Sequence, residues 1–174
     1  MPCSSDPERA LRLYNKAITM AENLVSKDQI RQIQIPYWIA ISRPLLSLGR
    51  TAEARRALSN ALNALGEPEI YEDRLTMLDL QKLWARLIAK EGKRAEPKRT
   101  LDSAIQAGET LRTSHPSDLR PILFLSDLYR ELAVITEGAL RREALLRSAS
   151  AWHSWPATSY TASQEHRDLE AAAQ

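Results

Sequence analysis

The chain has 174 residues, 26% of them charged and 44% hydrophobic, which predicts a single domain of ordinary globular composition. Its 24 basic and 22 acidic residues nearly cancel, to a formal net charge of +2 at pH 7, so the composition argues against nucleic-acid binding. The single cysteine, Cys3, excludes a disulfide within the chain and a cysteine-based metal site. The most apolar stretch, 33–48, is short and interrupted by Arg43, Pro36 and Pro44, so no membrane insertion is expected.

The predicted elements, in chain order, are a first helix, three helix pairs and a mostly polar last helix. The first helix covers 6–26, and its apolar side includes Leu11 and Leu24. Each helix pair turns at a glycine, because glycine readily adopts the left-handed conformation that ends a helix. The pairs cover about 28–66, 68–112 and 116–154 and turn at Gly49, Gly92 and Gly138, and the last helix covers 159–173.

The second helix of every pair and the first helix of the chain share one sequence pattern. Four segments align without gaps: ERALRLYNKAI (8–18), EARRALSNAL (53–62), EPKRTLDSAI (96–105) and EALLRSASAW (143–152). A small or helix-starting residue is followed by a mostly bulky residue four positions later, by alanine three positions after that, and by Ile18, Leu62, Ile105 or Trp152 at the next position, which places all four on one side of a helix. We call the first three of these positions the motif face: Ala10, Tyr14 and Ala17; Ala54, Leu58 and Ala61; Pro97, Leu101 and Ala104; Ala144, Ser148 and Ala151. The first position recurs after 44, 43 and 47 residues, which indicates a tandem repeat.

This pattern resembles the tetratricopeptide repeat family, and the segment 35–68 carries the resemblance best. It has an aromatic residue early in the first helix, Gly-Arg at the turn, and Glu-Ala, a bulky residue and a second alanine in the second helix. The usual repeat has about 34 residues, so this chain is similar to the long-helix variants of the family. Its "GR..EA" turns resemble the arrays of some bacterial serine/threonine protein kinases. The resemblance implies an all-α, right-handed α-solenoid of antiparallel helix pairs, with about 3.5 repeats plus a C-terminal capping helix.

In this family the stacked pairs form a concave groove, which implies a protein-interaction or regulatory scaffold domain that binds a peptide or a partner protein. The basic residues expected on the groove are Arg43, Lys82, Arg86 and Lys90, of which the last three recur every four residues along one edge. An acidic peptide would suit this edge, although plain solubility also explains the charges. The resemblance further implies part of a larger signalling protein. It leaves the location open, because arrays of the suspected kind can lie on either side of a membrane; for a soluble domain we favour the cytoplasm. A helical-repeat nucleic-acid binder and a ligand-sensing domain of a kinase are the alternatives.

Enzyme activity is not expected of this chain. It has no phosphate-binding G-x-x-x-x-G-K-[ST] motif, no G-x-S-x-G nucleophile elbow and no D-F-G motif of protein kinases. The three histidines do not stand at the helical spacing of a metal pair. We therefore expect no catalytic residue, no cofactor and no metal, and any kinase activity would lie outside this chain.

The first helix has an apolar side that the end of a solenoid would leave partly uncovered. Three explanations stand side by side. The chain can be a fragment of a longer protein, the helix can serve as a simple cap, or two copies can form a homodimer through it. Leu11 and Leu24 are the residues expected in such self-association.

Overall fold

The computed structural model describes residues 6–22, 27–93 and 95–153, and all regular structure in these ranges is α-helical. No strand occurs among them, so the prediction of an all-α fold is confirmed for this part of the chain. The helices there are α1 (Pro7–Glu22), α2 (Lys27–Ser47), α3 (Thr51–Leu65), α4 (Tyr71–Lys90), α5 (Ala95–Ser114), α6 (Arg120–Ile135) and α7 (Gly138–His153). Leu24 and the predicted helix 159–173 lie outside the described residues.

The chain divides into two compact units, Met1–Gly92 and Lys93–Gln174. Helices α1 to α4 belong to the first unit and α5 to α7 to the second. The boundary follows α4 directly and therefore falls inside the predicted helix pair 68–112. The single domain, the three repeated pairs and the solenoid of antiparallel helices stay predictions.

The turn between α2 and α3 shows why glycine stands at this position. Gly49 has a φ of 73°, a left-handed conformation that costs other residues about 1–2 kcal/mol. Its amide donates to the carbonyl of Leu46 at 3.2 Å, and the amide of Arg50 donates to the carbonyl of Leu45 at 2.9 Å. This pair of bonds is the Schellman motif, which satisfies carbonyls left open at the end of a helix. Arg50 then places its guanidinium on Glu53, with Nε 2.7 Å from Oε1, at the start of α3.

The core of the first unit joins apolar side chains from α2, α3 and α4. On α3, the motif face of Ala54, Leu58 and Ala61 is completely buried in this core. The two alanines leave room for neighbouring helices to approach, and the leucine fills the space between them. Trp38 and Trp84 are partly buried and pack against the same cluster, as expected for aromatic residues of an apolar stripe.

Helix α1 packs against α2 through a different side from its motif face. Leu11 belongs to the core of the first unit, and Ile18, seven residues later on the same side of the helix, is also buried. The hydroxyl of Tyr37 on α2 donates a 2.9 Å hydrogen bond to Asn15 Oδ1. Leu11, predicted together with Leu24 as a possible self-association residue, is 8% exposed and lies in the core of the first unit. Self-association of the chain stays a prediction.

The second unit is held together by α6, which contacts both α5 and α7. Ile122, Leu125 and Tyr129 of α6 form an apolar cluster with Ala149 and Ala151 of α7. The motif-face residue Ser148 is also completely buried there, and its Oγ lies 2.9 Å from Ser126 Oγ and 3.0 Å from the Ser126 carbonyl oxygen. The motif face of α7 is therefore covered by the helix that precedes it.

Candidate functional site

Asp79 is the most unusual charged residue of the first unit, because it lies among leucines in the middle of α4. Its side chain is only 10% exposed, and the neighbouring Leu78, Leu80 and Leu83 are buried. A buried carboxylate loses its hydration, so it needs opposite charge close by to remain ionised. The structure supplies that charge from two different helices.

Arg43 on α2 and Lys82 on α4 both contact the Asp79 carboxylate. Arg43 Nη2 donates to Asp79 Oδ2 at 2.6 Å, a short distance typical of charge-assisted hydrogen bonds. Lys82 Nζ lies 3.1 Å from Oδ1, where it makes an ion pair, although Oδ1 accepts no hydrogen bond of good geometry. The carboxylate therefore bridges α2 and α4 and fixes the positions of both cations.

The two cations differ in what they present to solvent. The Arg43 side chain is 55% exposed, whereas that of Lys82 is 11% exposed. Lys82 therefore serves mainly to neutralise Asp79, while Arg43 keeps part of its guanidinium free of protein cover. Because Asp79 already restrains the Arg43 side chain, a ligand would lose less conformational freedom in binding it.

Arg86 and Lys90 continue along α4 from Lys82 at intervals of four residues, and both are exposed. Lys90 lies in the last turn of the helix, where the helix dipole favours a positive charge. Together with Asp79, these two residues, Arg43 and Lys82 form what we call the α2–α4 face. Four cations and one anion leave this face with a charge of +3.

The other side of α4 is tied to α3 by a separate ionic cluster. Arg55 on α3 pairs with Glu91 and also places its guanidinium carbon 5.3 Å from the centre of the Trp84 ring. This stacked arrangement adds a cation–π contact to the ion pair. Helix α4 is therefore anchored to α2 by Asp79 and to α3 by Trp84, which makes it a firm support for the exposed cations.

The second unit contains an open cleft of about 490 Å³ between α5, α6 and α7, which offers a second candidate site. Tyr129 lies buried at this cleft, and its hydroxyl donates to Glu109 Oε1 at 3.3 Å. Burial raises the pKa of Tyr129 above its usual value, although the nearby Arg147 guanidinium opposes the rise. The hydrogen bond to Tyr129, followed by that to Glu143, raises the pKa of Arg147.

The charges around this cleft are arranged in neighbouring pairs of opposite sign. Glu109 pairs with Arg112 at 2.7 Å, Glu143 with Arg147 at 2.7 Å, and Lys98 with Asp102 at 2.6 Å. Three cations and three anions leave no net charge to attract a charged ligand. We therefore give the cleft a lower rank than the α2–α4 face as a binding site.

The predicted groove residues are brought together in part. Arg43 and Lys82 meet at Asp79, while Arg86 and Lys90 follow Lys82 along α4 at intervals of four residues. Asp79, the centre of this cluster, was not among the residues predicted from the sequence. The signal that could have identified it is an acidic residue between two leucines, Leu78 and Leu80, and three positions before Lys82.

Neither a metal-ligand cluster nor a membrane-spanning helix occurs in the part of the chain that the structure describes. Within 6–22, 27–93 and 95–153, no group of three or more acidic, histidine or cysteine side chains is placed to hold a metal ion. No helix in these ranges combines the length and the apolar character needed to cross a membrane. Farther along the chain, His166-Arg167-Asp168-Leu169 matches the first four residues of the kinase catalytic loop, but Ala173 stands where that motif needs asparagine. This segment lies outside the described residues.

The fold and the site define an all-helical chain in its described part, with a basic face anchored by a buried carboxylate. No protein-family model matches the chain, and no curated protein or solved structure matches it either. The resemblance to tetratricopeptide repeats therefore rests on the sequence pattern and stays a prediction.

Proposed function

We propose that this chain is a protein-interaction domain that binds an acidic peptide segment or partner protein on the α2–α4 face. The observation that carries the proposal is the clamp at Asp79, which holds the half-exposed Arg43 at 2.6 Å. A side chain fixed in this way is ready to receive a carboxylate without first being ordered. The proposal includes a scaffold or regulatory role within a larger signalling protein, which rests on the family resemblance alone.

The chemistry of the face favours carboxylate over other ligands. A guanidinium presents parallel N–H donors that match the two oxygens of a carboxylate, so Arg43 can bind a peptide side chain while one nitrogen stays on Asp79. Arg86 and Lys90 add exposed positive charge along the same helix. A peptide with two or more acidic residues can use both parts of the face, which provides selectivity over neutral peptides.

The test is a binding titration with two labelled peptides of equal length, one rich in Glu and one in which Gln replaces every Glu. We expect the full chain to bind the Glu peptide more tightly, and Arg43→Ala to weaken that binding by about tenfold. The double variant Arg86→Glu with Lys90→Glu provides a second test, because it leaves the Asp79 clamp intact. Arg99→Glu is the matched control, because Arg99 is also exposed on a helix but lies outside this face.

Three outcomes would contradict the proposal. The first is that the Glu peptide binds no better than the Gln peptide. The second is that neither set of α2–α4 variants changes its binding. The third is that Arg99→Glu weakens binding as much as Arg43→Ala does, which would indicate non-specific attraction to positive charge. Titration with single-stranded RNA at two salt concentrations is run alongside, and tight RNA binding that is lost in Arg43→Ala would favour the nucleic-acid alternative.

A further inference from the structure

The motif face of α1 differs from the other three motif faces in being open to solvent. On α3, Leu58 occupies the central position and is 0% exposed, whereas Tyr14 at the same position of α1 is 40% exposed. Leu101 of α5 and Ser148 of α7 are completely buried at this position. The same sequence pattern therefore produces a covered surface three times and an uncovered one once.

The open surface is larger than the motif itself. Leu13 and Met20, each more than half exposed, stand beside the motif residues Tyr14 and Ala17 on α1. Successive side chains in the order Ala10, Leu13, Ala17 and Met20 are three or four positions apart, so they form one continuous apolar stripe along the helix. Such a stripe on the side of α1 that faces away from the core residues Leu11 and Ile18 indicates a surface that another element covers.

The second unit shows what kind of element covers a motif face. On α7, the buried Ser148 contacts Ser126 of α6, and Ala149 and Ala151 pack with Ile122 and Leu125 of the same helix. The covering element is thus an amphipathic helix that presents the small Ser126 one turn after Ile122 and one turn before Tyr129. On α1 the central motif residue is the bulky Tyr14, so a covering helix would place its small residue opposite that ring, with apolar neighbours against Ala10 and Ala17.

The charges beside the stripe define the partner further. Arg9 and Lys16 are exposed, and each lies one helical turn from a residue of the stripe, Arg9 from Leu13 and Lys16 from Met20. Arg12 lies farther around the helix and faces Asp6 at 3.9 Å. A covering helix would therefore place the border of its apolar side against two positive charges, which favours Asp or Glu at that border.

A second copy of this chain fits the stripe less well. Two copies of α1 would bring Arg9 and Lys16 of one chain close to the same residues of the other, and like charges in an interface are unfavourable. The stripe and Tyr14 amount to five residues, whereas a stable interface between two proteins uses roughly 20–30 residues on each side. Recognition of a single helix needs only a few anchors at helical spacing.

We infer that the open motif face of α1 is a docking site for one amphipathic helix of a partner protein, with a small residue at the centre of its apolar side and acidic residues along one border. This site is separate from the α2–α4 face, so either can be present without the other. The exposed large side chains of its apolar surface are Leu13, Tyr14 and Met20, whereas Leu11 is buried.

The experiment uses the full chain and two synthetic helical peptides, each about as long as α1 and each with a Leu and Ala face around a central Ser. One peptide carries Glu along the border of that face and the other carries Lys. Fluorescence anisotropy is expected to show binding of the Glu-bordered peptide and about tenfold weaker binding of the Lys-bordered one. Leu13→Glu with Met20→Glu should abolish binding, while the control Val134→Glu, at an exposed apolar residue of α6, should leave it unchanged.

Charge reversal gives the decisive comparison. Arg9→Glu with Lys16→Glu should invert the preference, so that the Lys-bordered peptide binds more tightly than the Glu-bordered one. Equal binding of both peptides to all variants, or no binding of either peptide to the unaltered chain, would overturn the inference. Light scattering settles the competing occupant, because a dimer that Leu13→Glu with Met20→Glu dissociates would assign the stripe to a second copy instead.

Discussion

Truncation of the central motif residue should cost stability in proportion to its burial, and Leu58 and Tyr14 allow a direct comparison. Both stand at the same motif position and both belong to the first unit, yet one is 0% and the other 40% exposed. Leu58→Ala removes three carbon atoms from a closed core, which loses about 2.4 kcal/mol of transfer free energy at ~0.8 kcal/mol for each carbon. The cavity left between the surrounding leucines and alanines raises the expected cost to about 3–4 kcal/mol.

Tyr14→Ala should cost far less, although the side chain that it removes is larger. Water already reaches the ring of Tyr14, so its removal leaves no closed cavity, and the expected loss is about 1 kcal/mol. The measurement is urea-induced unfolding followed by circular dichroism, with the midpoint and the slope compared between the two variants. Several protein concentrations are used, because self-association would make the midpoint depend on concentration.

Equal losses for Leu58→Ala and Tyr14→Ala would contradict the reasoning, because they would mean that the motif face of α1 is covered in solution. If the Tyr14→Ala loss grew with protein concentration, a second copy would be the cover. If it did not, the cover would belong to the same chain, and the docking site inferred on α1 would be occupied. A small loss at Tyr14 beside a large one at Leu58 supports an open stripe.

Two further predictions concern the second unit. Ser148→Leu restores the bulky residue of the motif but should lower the free energy of unfolding in urea by about 1–3 kcal/mol. The larger side chain has no room, because Ser148 Oγ already lies 2.9 Å from Ser126 Oγ. A stabilising effect would show that α6 and α7 are less closely packed. Burial raises the pKa of Tyr129, so the folded chain keeps the phenol proton at a pH where the unfolded chain releases it, and stability should fall as the pH rises above 10.0. When the pH is raised from about 9 to about 11, Tyr129→Phe should lose less stability than the unaltered chain. Identical losses would show that Tyr129 is not the source of this pH dependence.

The helices were predictable because their ends are marked by local chemistry. Gly49 adopts a conformation that few other residues accept, and Arg50 and Glu53 pair at the start of α3, so three neighbouring residues determine where α2 ends and α3 begins. Pro97 was expected in the first turn of its helix, and it is the third residue of α5. Such signals depend on a few neighbours in the chain, which is why sequence reasoning reaches them.

Burial of individual charged residues was not predictable in the same way. Lys82 and Arg86 are four residues apart on one edge of α4, yet Lys82 is largely buried and Arg86 is exposed. The difference arises from Asp79, whose carboxylate draws Lys82 inward while Arg43 approaches from α2. Helical periodicity identifies the side of a helix, but it does not tell which ions on that side meet across a helix contact.

Helical periodicity also could not tell which apolar residues of α1 are covered by α2, and Leu11 was therefore predicted as a possible self-association residue. Apolar residues cover about half of the circumference of α1, so a neighbouring helix can pack against one edge of this apolar half or against the other. Leu11 and Ile18 form one edge, and Leu13 and Met20 form the other. The structure shows that α2 takes the first pair, and the repeated motif lies between the two. The open stripe is recognised because Tyr14 is exposed at a motif position where Leu58, Leu101 and Ser148 are buried.

The near-neutral net charge of the chain does not weaken either binding proposal, because the charge is unevenly distributed. The first unit, 1–92, has 13 basic and 11 acidic residues, whereas 93–174 has 11 of each, so the whole excess of +2 belongs to the first unit. Both proposed binding surfaces lie there, and the cleft of the second unit has its charges paired. Beyond about 10 Å, exposed charges are largely screened at moderate ionic strength, so a partner responds to the few cations at its own interface and not to the total. A partner with acidic residues at matching positions can therefore be selected by a chain whose overall charge is close to zero.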